Sequence, residues 1–109
     1  MIWEQLTEEV QLEQIRELSY RQPVVIFKHS TRCSISTMAK NRLEREEVPE
    51  NIVFYYLDLI RYRTVSNKVA EMFQVHHESP QVMLIKNGEC VYEESHNGID
   101  LSEIAAQAA

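Results

Sequence analysis

The run Val24-Val25-Ile26-Phe27 constrains this chain more than any other feature: four apolar residues, three of them β-branched, with no polar break. A strand that alternates apolar and polar residues can leave one face in water, whereas a continuous apolar run fits a strand covered on both faces. It reads as a central strand, with other strands beside it and helices above and below. Two further runs supply neighbours. Ile52 to Leu59 (Ile-Val-Phe-Tyr-Tyr-Leu-Asp-Leu) is a second buried strand and Val82 to Ile85 a third.

Between these runs apolar residues recur at helical spacing. Leu12, Ile15 and Leu18 give a first helix one apolar stripe, which ends before Pro23. Thr7, followed by Glu8 and Glu9, is placed to cap that helix, because its side-chain oxygen accepts free N–H groups and the acids suit the macrodipole. Met1 leads directly into the polar stretch Trp3 to Glu9. From Cys33 to about Glu47, Ile35, Ala39 and Leu43 recur every four residues until Pro49 forbids continuation. Val65, Val69, Met72 and Phe73 form the inner face of a third helix. Asn87-Gly88 is a two-residue hairpin signal, so Glu89 to Ser95 should fold back as an antiparallel strand. Asp100 is positioned to cap a closing helix whose Leu101, Ile104 and Ala108 face inward. The strand at 52–59 is reached through a helix and should therefore lie parallel to the first, by a right-handed crossover.

The resulting order is helix, strand, helix, strand, helix, strand, strand, helix. That order, with a cysteine just after the first central strand, resembles the thioredoxin fold over essentially the whole chain. The expectation is one α/β domain over residues 1–109, a three-layer α/β/α arrangement around a four-stranded mixed sheet. With 109 residues, 44% of them apolar, the chain can build one core unaided. It shows no secretory signal and no membrane-spanning run, which points to a cytoplasmic protein with no membrane partner. The net charge of −6 argues against nucleic acid as a partner. The chain is expected to act as a monomer.

Cys33 is the residue that points to chemistry. It stands in Thr31-Arg32-Cys33-Ser34-Ile35-Ser36, where a strand gives way to a helix. The first N–H groups of a helix have no internal partner and carry the positive end of its dipole, so a thiolate is favoured over a thiol there. A free cysteine near pKa ~8.5 can fall to roughly 3.5–7.5 in such surroundings, helped by a cation such as Arg32 or a protonated His29. Ser36 lies three residues on, one helical turn away, from where its hydroxyl can hydrogen-bond the sulfur. A dithiol oxidoreductase needs a second cysteine at that position. With serine there, Cys33 can accept a small thiol from a mixed disulfide but cannot release it by closing an internal bridge. Cys90, within the strand after the hairpin, is read as a packing residue.

Other cysteine chemistries fit less well. A Cys-x5-Arg phosphatase loop needs arginine where this chain has Ala39, and a Pro-x3-Thr/Ser-x2-Cys peroxide-reducing pattern needs proline where it has Ile26. One cysteine and two adjacent histidines do not give the paired spacing of a zinc site, and no metal or bound cofactor is expected. His29 and His77 are expected to flank the sulfur from the strand end and from the loop before Pro80, raising the thiolate fraction or passing protons.

The stretches Phe27-Lys28-His29-Ser30-Thr31-Arg32-Cys33-Ser34-Ile35-Ser36, Arg63-Thr64-Val65-Ser66-Asn67 and His77-Glu78-Ser79-Pro80-Gln81, followed by Asn87-Gly88, together resemble the monothiol bacilliredoxins. These are thioredoxin-fold proteins of the bacillithiol system of some bacteria. One departure is visible: the family motif commonly has proline after the cysteine, and here Ser34 stands there. The resemblance implies that Cys33 strips bacillithiol from bacillithiolated client proteins, with bacillithiol as co-substrate, and that Ser36 and Arg32 assist. It also implies that Thr31, His29, His77, Ser79 and Pro80 line the substrate site, with a cis Pro80 beside the thiol and the Ser79 backbone offered to the client chain. Two other readings stay open: a non-catalytic thioredoxin-fold binding module, and glutaredoxin-like exchange with another low-molecular-weight thiol. An iron–sulfur-carrying monothiol glutaredoxin is weaker, since the glycine and phenylalanine of that motif are missing between Cys33 and Ser36.

Overall fold

The computed structural model describes residues 1–109. Its elements are β1 (Trp3–Gln5), α1 (Val10–Leu18), β2 (Val24–His29), α2 (Ser34–Arg45), β3 (Val53–Asp58), α3 (Arg63–Phe73), β4 (Gln81–Lys86), β5 (Glu89–Ser95) and α4 (Leu101–Ala108), with a 3₁₀ turn at His96–Gly98. The strands form one mixed sheet in the order β1-β3-β2-β4-β5. β2 occupies its centre, parallel to β3 and antiparallel to β4, and all six of its residues are buried. Alternate side chains go to opposite faces. Val25 and Phe27 pack with Ala39, Leu43, Leu101 and Ile104 of α2 and α4, while Val24 and Ile26 pack with Leu12, Ile15, Val65 and Val69 of α1 and α3. Each such fully buried side chain stabilises the fold by about 1.5–3 kcal/mol, so the two-faced burial of β2 is what holds the three layers together.

The sheet has five strands, not four. β1 pairs in parallel with β3, Trp3 opposite Phe54. Three residues of mixed polarity give no strand pattern, and the segment is held by one side chain: the Trp3 ring stacks on Phe27 at 5.6 Å and meets Phe54 edge-on at 6.0 Å. Leu6, fully buried against the other face, closes the segment. Thr7 does not cap α1. The helix starts three residues later, and Gln11 reaches back so that its Oε1 accepts the N–H groups of Thr7 (2.8 Å) and Glu8 (2.9 Å). Asp100 does cap α4, accepting the Ser102 N–H at 3.1 Å.

α2 is rotated relative to the expected stripe: Ser36, Ala39 and Leu43 are its buried residues, and Ile35 is 46% exposed. A hydroxyl therefore occupies the inward position of the first turn. In the β4–β5 hairpin, Asn87 and Gly88 both have positive φ (54° and 80°), as a two-residue turn of this kind requires. A Cβ on Gly88 would lie 2.5 Å from the Tyr20 hydroxyl. No helix is long and apolar enough to cross a membrane.

Candidate thiol site

β2 delivers the chain to a short turn in which the Cys33 N–H bonds back to the Ser30 carbonyl at 3.2 Å. Cys33 is the residue before α2, extended at φ −110°, ψ 121°. Its carbonyl accepts the Thr37 N–H (3.1 Å) and the Thr37 hydroxyl (3.2 Å), which commits the backbone to the helix while the side chain stays outside it. The thiol is free and half-buried, at the residue that precedes α2, and it makes no capping hydrogen bond to the helix. Thr31 and Arg32 are exposed beside it, and the Arg32 guanidinium forms no ion pair.

Ser36 does not bond the sulfur. Its Oγ is fully buried, 2.6 Å from His29 Nδ1, and accepts the Ser30 N–H at 3.0 Å. The inward rotation of α2 puts the hydroxyl over the end of β2, where it ties the first helical turn to the strand. His29 is 5% exposed and stacked on Phe27 at 5.7 Å, with Tyr56 at 5.5 Å. Burial, and then the Lys40 ammonium, hold its imidazole below the usual histidine range, so His29 is neutral and is not the cation beside the thiol.

On the opposite face of β2 lies a group that the sequence motifs did not single out. Lys28 has no exposed surface, and its Nζ donates to the Ser66 carbonyl (3.1 Å) and meets His77 Nδ1 (3.1 Å). Burial pushes the ammonium down to about 8. The signal was present: a lysine inside an otherwise apolar central strand, in phase with Val24 and Ile26, has to be buried. His77 is held below its ordinary value by burial, then by Lys28 and Arg63. Neither imidazole is hydrogen-bonded to Cys33, and the two lie on opposite faces of the sheet.

Pro80 is buried, and the Ser79–Pro80 peptide is cis. β4 runs antiparallel to β2, with Gln81 opposite Lys28, so the start of β4 and the end of β2 share one edge of the sheet. Ser79 Oγ is buried there without a hydrogen-bond partner. Cys90 is elsewhere. It pairs with Ile85, which pairs with Val24 at the far end of β2. Five residues of strand, roughly 16 Å at about 3.3 Å each, separate that level from His29. A disulfide needs Cα atoms within about 7 Å, so the two thiols cannot meet in this fold. Burial pushes the Cys90 thiol up to about 11. No cluster of three or more His, Cys, Asp or Glu side chains is placed to hold a metal ion.

The family model of monothiol bacilliredoxin BrxC matches residues 4–104. Among solved structures, one proposed to be an oxidoreductase with a thioredoxin fold is 32% identical, over 96% of this chain and 92% of that chain, with a TM-score of 0.80. The thioredoxin of Malassezia sympodialis is 18% identical over 99% of this chain and 92% of its own, with a TM-score of 0.77. That of Fasciola hepatica is 17% identical over 95% and 94%, with a TM-score of 0.72. These two share the fold. A thioredoxin fold with a free thiol at the mouth of α2 and no second thiol within reach is a scaffold for thiol–disulfide redox chemistry, and the chain belongs to the monothiol bacilliredoxin family.

Proposed function

We propose that the protein removes bacillithiol from mixed disulfides on client protein cysteines, with Cys33 as nucleophile and a second bacillithiol as the resolving thiol. The observation that carries this reading is the isolation of Cys33: the position one turn on is a buried serine bonded to His29, and Cys90 lies at the other end of the sheet. The Cys33 thiolate attacks the bacillithiol sulfur, the client cysteine leaves as a thiolate, and Cys33 carries the adduct. A bacillithiol thiolate then attacks the adduct, forming bacillithiol disulfide and restoring Cys33. Arg32, exposed next to Cys33, is free to meet an anionic part of the incoming thiol, Thr31 and the Ser79 backbone border the client chain, and Pro80 fixes the loop beside it. Ser36 and His29 brace the turn from within and do not touch the sulfur.

The test is intact mass after incubation with oxidised bacillithiol and, separately, oxidised glutathione, for wild type and Cys33→Ser. A single adduct on Cys33, formed with bacillithiol in preference to glutathione and removed by more bacillithiol, is the expected result. Equal reaction with glutathione would point to a general low-molecular-weight thiol exchanger, and no adduct with either to a binding module.

A further inference from the structure

We propose that Lys28 is a positioning residue for this exchange: its buried ammonium fixes His77 as the tautomer protonated on Nε2, placing an N–H donor on the loop before Pro80 for the departing client thiolate. The inference rests on the exchange reading above. An ammonium offers only donors, and Lys28 Nζ reaches just two groups, the Ser66 carbonyl and His77 Nδ1. Nδ1 is therefore the bare ring nitrogen, and the proton sits on Nε2. Lys28 covers the Nδ1 side of the ring while the residue as a whole is exposed, and in this proposal Nε2–H takes the open side.

The charged and titratable groups around the ring are Lys28 from β2, Arg63 from α3, and His76 and Glu78 from its own loop. Burial together with Lys28 and Arg63 outweighs Glu78, which keeps the ring neutral and the tautomer defined. The clamp spans three elements, with partners 38 and 49 residues away from Lys28. It ties the loop at 76–80, beside the end of β2, to the first turns of α3. In the exchange, the new S–S bond forms between Cys33 and bacillithiol, and the client S–S bond breaks with its electron pair on the client sulfur. Nε2–H donates a hydrogen bond to that sulfur, and the proton that finally neutralises it comes from solvent.

Nitrogen-15 shifts of the His77 ring, recorded for wild type and Lys28→Met, test the tautomer, and turnover of a bacillithiolated peptide tests its use. Wild type should show a bare Nδ1 and a protonated Nε2, and Lys28→Met should lose that preference. Turnover in Lys28→Met should fall roughly ten- to hundredfold, the loss expected for one hydrogen bond to a charged group, while alkylation of Cys33 by neutral iodoacetamide keeps its rate. A wild-type ring protonated on Nδ1, or full turnover in Lys28→Met, overturns the proposal. If Lys28→Met does not fold, His77→Gln, which keeps an N–H donor, should outperform His77→Phe, and equal rates overturn it. The ring shifts do not depend on bacillithiol, so a missing adduct in wild type would refute the exchange reading separately.

Discussion

Lys28 and His29 are consecutive, both buried, and point to opposite faces of the same strand, yet each meets the cost of burying a polar group differently. The hydrogen bond of His29 is local, to Ser36 seven residues away, and its ring also stacks on the neighbouring Phe27. Its bond forms as soon as the β2–α2 turn closes. Lys28 is satisfied only by Ser66 and His77, so its bonds exist only once β2, α3 and the loop before β4 have assembled. The neutral ring braces the thiol-bearing turn from beneath, and the cation reports on the assembly of the whole edge. The first kind of contact lies within one strand–turn–helix segment, and the second exists only in the assembled fold.

The sharpest way to break this comparison is pH. Lys28 has a folded value of about 8 against an unfolded 10.5. Below about 8 the folded state carries a buried charge that the unfolded chain solvates freely. Between the two values the unfolded state binds more protons, so stability rises with pH and the penalty is relieved, by about 3 kcal/mol at most. The raised Cys90 thiol acts with the opposite sign, since its folded state keeps a proton that the unfolded chain gives up. The difference between Lys28→Met and wild type isolates the lysine. The advantage of the variant in denaturant unfolding should be greatest at pH 7 and shrink towards pH 10; a pH-independent difference would show that the ammonium is not desolvated.

On the other face, Ser36→Ala leaves His29 Nδ1 and the Ser30 N–H without their partner. It should destabilise by about 1–3 kcal/mol, read as a drop in Tm, with little pH dependence above 7 because His29 is already neutral. Cys90→Ser should change peptide turnover by less than about twofold, since surface-remote substitutions of this kind act through stability alone. Iodoacetamide should modify Cys33 well before Cys90 in the folded protein. The smallest effect belongs to Ser66→Ala. Ser66 Oγ is buried without a partner, and Lys28 uses the backbone carbonyl, so removing the hydroxyl should be neutral or slightly stabilising in the same unfolding assay.

The central strands, the hairpin and the closing helix were legible because each rests on a local rule: unbroken apolar runs, Asn87-Gly88, and Asp100 as a cap. β1 was not, because nothing in Trp3-Glu4-Gln5 alternates, and its place depends on aromatic partners more than twenty residues away. The buried face of α2 departs from the apolar spacing because Ile35 is apolar and Ser36 is not. The buried His29 Nδ1 and the Ser30 N–H, both paired with the Ser36 hydroxyl, outweighed hydropathy at that turn, a demand that periodicity cannot register. At the candidate site, Cys33 and the monothiol character followed from spacing, whereas the partners of Ser36 and the burial of Lys28 needed the register of β2 against β3 and β4.

Trp3 is the chain's single tryptophan. Its indole lies on Phe27, and its N–H donates to Glu44 of α2 at 2.7 Å. α2 is the helix that begins directly after Cys33, so the thiol stands at one end of the helix and the indole's carboxylate partner near the other. The protein thus carries its own optical reporter. Any displacement of α2 would alter the indole's stacking and its carboxylate contact, so intrinsic emission is expected to report the position of the helix without an added dye.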